Sequence, residues 1–297
     1  MITVGVLGIG VLGPGIKDWA GGAALLREPA HWQRQPTAVP PPARLPATER
    51  RRAGTVVKAS IVVADQAVTA AGLDPTRLAT VFTSSTGDPA NCHILCEALA
   101  APVRLVSPTR FTNSVHNAPA GYWHITAASR APSTSLAAFD ASFAAGLLEA
   151  AVQCRATHAP VLLVACDVPY PEPLHAVRPL ADTFALALVI GPPGAGRTLS
   201  LQVTGEATVT PCTDAGLDEV TPTSRPRARC RCCRRWRAVA QQARCSKACR
   251  GWRCGWTCSN RGSSRCCVAH APSIVVHDIR NHQVVSPARG CAPTQSG

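Results

Sequence analysis

The first 222 residues predict an α/β layered fold, a buried mixed sheet with helices on both faces. Three observations carry that expectation. Short apolar runs alternate with segments of helical periodicity. The runs are apolar without interruption, as strands covered on both faces are, rather than alternating with polar residues. Segments bearing Gly, Pro, Asn and Asp separate one element from the next.

Thr3–Val11 is the first such run and reads as a central strand. Glycines and Pro14 break it, and Lys17–Leu26 reads as a helix. The stretch QPTAVPPPARLPA at 36–48 is a proline-rich loop. A charged approach at Glu49–Arg52 leads to a helix over about 55–72, with Val56, Val57, Ile61 and Val63 as apolar positions. GLDPTR at 72–77 is a turn, Ala79–Ser84 a strand and Asn91–Ala101 a helix. A helix over Asn117–Ser129 tolerates Pro119 in its first turn. Ser135–Phe139 reads as a strand and 141–157 as a helix; Val161–Cys166, Thr183–Ile190 and Ser200–Gly205 complete the strands.

The formal net charge of +13 suggests a nucleic acid or an anionic surface as partner until the charge is located. Residues 1–222 hold 15 Lys and Arg against 16 Asp and Glu, whereas 223–297 hold 15 Lys and Arg and one acid, Asp278. Ten of the 15 cysteines lie in that last segment, which lacks Leu, Phe, Tyr, Met and Glu altogether. It cannot assemble an apolar core, and its reading is a disordered basic tail. Its thiols, such as Cys230, Cys232, Cys233, Cys245 and Cys249, do not repeat with the paired spacing of a zinc module. A nucleic-acid arm with interleaved Trp236, Trp252 and Trp256 is the other functional reading. A change of reading frame near residues 220–225 explains the composition better. Read one base late, the Leu codon CTG begins TG and gives Cys or Trp, and the Ala codon GCG begins CG and gives Arg.

No apolar run approaches the roughly 20 residues of a membrane span, and no basic residue precedes the first apolar run as in a secretory signal. The expectation is a soluble, cytoplasmic chain with reduced thiols, no membrane partner and no nucleic-acid partner.

GIGVLG at 8–13 fits the dinucleotide fingerprint, with Glu28 at the appropriate distance. No second apolar strand leads to Glu28, and Pro14 disrupts the required helix, so a glycine-rich bend is the reading and no cofactor is expected. No credible metal spacing occurs in 1–222. In FTNSVHNAPAGYW, residues Asn113, Ser114, His116 and Asn117 stand before a helix as caps or as a polar pocket lining. Asp140 stands where a strand turns sharply into a helix. Asp167 and Asp182 flank strands and receive no role.

Several stretches together resemble the N-terminal half of the β-ketoacyl synthases, condensing enzymes of the thiolase-like fold. They are VGVLGIGVLGPG followed by DW, AGLDPTRLATVFTSSTGD, RFTNSVHNAPAGYWHI, and TSLAAFDASFAAGLLEAAVQC followed by APVLLVACD. The likeness spans about 3–205 and is nearest to chain-length-factor-like proteins of aryl-polyene or fatty-acid-type gene sets. The resemblance implies the N-terminal half of a thiolase-like fold and an elbow at which the family's cysteine carries the acyl chain. Matching helix to helix puts Asp140 at that cysteine's place, and the histidine motifs of the family's C-terminal half have no counterpart in the tail. Asp140 is then expected to cap the following helix, accepting from the amides of Ser142 or Phe143.

The implied function is a non-condensing subunit, without independent activity, that pairs with a catalytic ketoacyl synthase and limits chain length. An acyl carrier protein is an indirect partner. Asn113, Asn117, Phe139, Phe143, Leu147 and Leu148 are candidate tunnel or interface residues, with ordinary core as the alternative for the apolar ones. Two other readings stand beside it: an acyltransferase or hydrolase acting on acyl thioesters through His116 and Asp140, and an inactive product of a shifted frame.

Overall fold

The computed structural model describes residues 1–28, 32–204 and 273–278. Elements run β1 (Ile2–Leu12), α1 (Trp19–Arg27), α2 (Ala47–Arg52), α3 (Thr55–Ala71), β2 (Ala79–Thr83), α4 (Pro89–Ala100), α5 (Pro108–Thr112) and α6 (Ala118–Thr126). They continue β3 (Ser133–Leu136), α7 (Ser142–Thr157), β4 (Val161–Asp167), α8 (Leu174–Val177), β5 (Phe184–Gly191), β6 (Arg197–Thr204) and β7 (Ser273–Asp278). One mixed sheet has the order β3-β2-β4-β5-β1-β6-β7. β3, β2 and β4 are parallel, and each remaining neighbour pair is antiparallel.

Each face of the sheet carries one long helix. On β4, Leu162 and Val164 point to the α3 side and join Val57, Ile61 and Val189, while Val161 and Leu163 point to the α7 side and join Leu147, Ala150 and Ile190. Both sets are fully buried, which is why β4 reads as a continuous apolar run. Each such Val, Leu or Ile contributes about 1.5–3 kcal/mol on leaving water.

Gly8 and Gly10 of GIGVLG lie inside β1, and only Gly13 belongs to the bend after it, Gly13–Ile16. Their use is close packing. A Cβ at Gly10 would stand 2.0 Å from the Val63 carbonyl oxygen, and one at Gly8 would stand 2.1 Å from that of Ala67. Backbone of α3 therefore rests directly on the strand. Gly146 lets α7 approach the other face, where its Cβ would meet the Thr83 methyl at 2.7 Å.

Two expectations change. Ser273–Asp278, within the segment read as a disordered tail, forms β7 against β6. Its sequence SIVVHD is the most β-branched run there, and β6 offers it an edge. The rest of 223–297, with its proposed zinc, nucleic-acid and shifted-frame features, lies outside the described residues. The third strand ends at Leu136, not Phe139, because the chain leaves extended conformation at Ala138. Among the described residues no helix is long and apolar enough to cross a membrane.

Substituting Gly10 by Ala inserts a methyl against backbone and is expected to lower stability by about 3 kcal/mol. Gly121→Ala, whose Cβ meets nothing within 4 Å, is expected to lie near wild type. Urea unfolding midpoints of the two variants measure the difference.

Candidate functional site

The elbow between β3 and α7 is built from a single turn of 3₁₀ helix over Phe139–Ala141. Phe139 has φ 53°, a left-handed conformation that a bulky residue adopts only where its surroundings hold it there. The Ser142 hydroxyl supplies part of that hold, donating to the Phe139 carbonyl at 2.7 Å and accepting from the Ala138 amide at 2.9 Å. From below, Thr83 donates to the Ser142 carbonyl at 2.8 Å, tying the first turn of α7 to β2.

Asp140 is not the cap expected of it. The N-cap position belongs to Ala141, and no side chain caps α7. The 3₁₀ turn sets Asp140 one residue too early, and its carboxylate instead accepts from the Arg178 guanidinium at 2.5 Å. Arg178 also lies over the Phe139 ring, 3.7 Å from its centroid, and 5.9 Å from that of Tyr170. One cation from the β4–β5 connection thus holds both faces of the elbow. Sequence reading missed it, since 38 residues separate the partners.

The C-terminal ends of β2 and β4 form a second polar group beside the elbow's strands. Asp167, which ends β4, accepts from the Ser85 amide at 2.7 Å, the Ser84 hydroxyl at 3.0 Å and the Thr86 amide at 3.3 Å. It gathers the loop after β2 around one carboxylate. His116 faces the carbonyl of Ser84 at 3.3 Å. No hydrogen bond joins His116 to Asp140; each has a different partner. Asp182 ties the proline-rich loop down, accepting from the Thr37 amide at 2.9 Å.

Three of the four polar residues of 113–117 divide between two recesses, and the fourth, Ser114, donates to the Phe111 carbonyl at 2.7 Å. Asn113 is buried, donates to the Arg52 carbonyl at 3.2 Å and accepts from the Tyr122 hydroxyl at 3.1 Å. It lines a cavity of about 500 Å³ with Arg51, Arg52, Asp88, Asn91 and Arg110. His116 and Asn117 line a groove of about 530 Å³ between α6 and β3, with Gly121, His124, Ser133 and Ser135. Asn117 occupies the N-cap position of α6, but its side chain caps no amide there. Phe139 and Phe143 are exposed at the elbow, whereas Leu147 is 2% exposed and belongs to the core on the α7 face. Leu147 therefore takes the ordinary-core reading, because Gly146 draws that turn of α7 onto the sheet. Leu148 is half-buried.

No thiol of the described residues serves the elbow. Cys166 is buried, and burial pushes its thiol up to about 12. Burial also raises Cys154, in the last turns of α7. Both are buried packing residues. Among the described residues no three His, Cys, Asp or Glu side chains are grouped to hold a metal ion.

The family model described as "Beta-ketoacyl synthase, N-terminal domain" matches residues 25–257. Among solved structures, the chain is similar to a ketosynthase in complex with its chain length factor from Xenorhabdus doucetiae. That match has 26% identity and TM-score 0.58, covering 69% of this chain and 85% of that one. It shares its fold with the ishigamide ketosynthase/chain length factor, at 14% identity and TM-score 0.54, covering 68% of each chain. It also shares its fold with a type II polyketide synthase acyl carrier protein in complex with its ketosynthase, at 16% identity and TM-score 0.54. That match covers 69% of this chain and 70% of the other. No curated protein matches the chain.

Replacing Arg178 by Ala removes the ion pair and the stacking together and is expected to cost about 1 kcal/mol, a figure held down by solvent screening. Asp140→Ala, which leaves the Phe139 contact, is expected to cost less; a double-mutant cycle by urea unfolding separates the two. In native protein, a maleimide is expected to label Cys92 and Cys96 and to leave Cys154 and Cys166 unlabelled until denaturant is added, as peptide mass mapping reports.

Proposed function

Because the chain belongs to the β-ketoacyl synthase N-terminal domain family, we propose that it is a non-condensing subunit of acyl-chain synthesis that pairs with a catalytic ketoacyl synthase. In that pair it shapes the space in which the chain grows. The carrying observation is the elbow, where Asp140, and no cysteine, stands at the turn and is bonded to Arg178. A carboxylate is a poor acyl carrier: acyl-aspartate is a mixed anhydride, far more prone to hydrolysis than a thioester, and Arg178 already occupies the carboxylate.

The partner assignment draws on the likeness to a ketosynthase bound to its chain length factor. It also draws on the sheet, since β3 is an edge strand beside exposed Phe139 and Phe143. Pairing of two such edges would bury both aromatic rings and satisfy the free strand edge. Fatty-acid or aryl-polyene-type chains are the proposed products of the pair. An acyl carrier protein fits the cavity side, where Arg51, Arg52 and Arg110 line the recess together with Asp88.

The acyltransferase or hydrolase reading requires His116 to act with Asp140, and each bonds elsewhere. A shifted frame near 220–225 is a separate proposal about the gene; the family match continues past that point to 257. Resequencing the gene across that codon tests it.

The test of pairing is co-expression with a catalytic ketosynthase from the same gene set, should one be encoded there, or otherwise from a related set, followed by size-exclusion chromatography with light scattering. A stoichiometric heteromer is expected for the wild type, and Phe143→Glu, on an exposed position, is expected to abolish it while leaving the unfolding midpoint unchanged. Two separate monomer peaks for the wild type contradict the proposal. Arg51→Glu is expected to weaken retention of an acyl carrier protein without affecting the heteromer.

A further inference from the structure

The helix α4 carries chemistry that the elbow does not use. Its sequence PANCHILCEALA packs only lightly, with Pro89 and Asn91 as its buried residues. Cys92 and Cys96 are exposed and free. Four residues apart, they share one face of the helix, with Cβ atoms about 5–6 Å from each other. That spacing exceeds the roughly 3.5–4.5 Å of a relaxed disulfide, so an intact helix keeps the pair as two thiols. Their side chains nevertheless interact. The Cys92 thiol is held above the ordinary thiol range first by burial, then by the charge and the hydrogen bond of Cys96, then by Asp88.

Two exposed thiols one turn apart on the same helix face, with Cβ atoms too far apart for a relaxed disulfide, leave room for one soft atom between them. The neighbouring ligand types are engaged, since His93 and Glu97 pair with each other at 3.2 Å. No third metal ligand joins the two thiols among the described residues. Zinc takes four ligands in structural sites, of which α4 offers two free ones, and hard cations prefer oxygen. A soft ion satisfied by two thiolates is Cu(I).

We propose that Cys92 and Cys96 form a two-thiolate site for Cu(I). The ion displaces one proton from each thiol, forms two Cu–S bonds and leaves copper and sulfur in their original oxidation states. The site is independent of the elbow and of the proposed pairing.

The full chain provides its own readout. Trypsin cleavage after Arg77 and Arg104 releases a peptide whose only cysteines are Cys92 and Cys96, so the thiols of 223–297 do not interfere. The reduced protein is saturated anaerobically with Cu(I), supplied as its acetonitrile complex, then pulsed with N-ethylmaleimide and digested. Loss of labelling at both cysteines is expected, with labelling of Cys92 restored in Cys96→Ser and of Cys96 restored in Cys92→Ser. Both substitutions are at exposed positions, and an unchanged unfolding midpoint verifies that the variants fold. Labelling at the metal-free rate overturns the proposal. So does equal protection of the remaining thiol in either single variant, and so does a peptide lighter by two hydrogens, the mark of a disulfide.

Discussion

The absence of side chains at Gly8 and Gly10 is the constraint on which this fold rests. It lets the carbonyls of Val63 and Ala67 lie on β1 itself, so α3 sits closer to the sheet than ordinary side chains allow. With α3 fixed there, Val57 and Ile61 reach the core that also holds Leu162, Val164 and Val189. The opposite face repeats the device through Gly146, which seats α7 on β2. Close packing of this kind has no slack, since interiors resemble crystals more than oil. It fixes the start of α7 relative to the ends of β2 and β4, and the elbow inherits its geometry from the core.

The elbow presents a carboxylate where the proposed reading needs no thiol. Phe139 takes the left-handed turn, Ser142 and Thr83 clamp it, and Asp140 spends its charge on Arg178. Neutralising that carboxylate has a consequence for pairing. A patch with exposed Phe139 and Phe143 can enter an interface only if the charge among them is satisfied, because an unpaired buried charge is strongly destabilising. The Arg178 guanidinium meets that need within the chain, and its plane covers one aromatic face as well. In the proposed heteromer the same bond therefore blocks acyl chemistry and permits burial.

Much of this was legible from residues alone. Continuous apolar runs located β1, β2, β4 and β5 because both faces of those strands are buried, and the periodicity of Val56–Val63 located α3. The order of motifs through 3–205 identified the family. What failed was local geometry finer than a residue pattern. One residue of offset in a 3₁₀ turn moved Asp140 from the N-cap position to an ion pair, and Arg178 is too distant in sequence for any local rule to connect them. The fingerprint-like glycines belong to strand packing, which short spacing alone does not distinguish from a phosphate loop. Asp167 was given no role, yet it organises the loop after β2 through donors more than 80 residues away. Leu147, for which ordinary core stood beside a tunnel or interface wall, takes the core reading, since it is buried on the α7 face.

The central claim is that this polypeptide carries no acyl chain of its own. The direct measurement combines the chain with its catalytic partner, labelled acyl and malonyl donors and acyl carrier protein, then separates the subunits by mass under denaturing conditions. Label on the partner and the carrier alone is the expected result. A covalent acyl adduct on this chain, at Asp140 or at any other residue, contradicts the account.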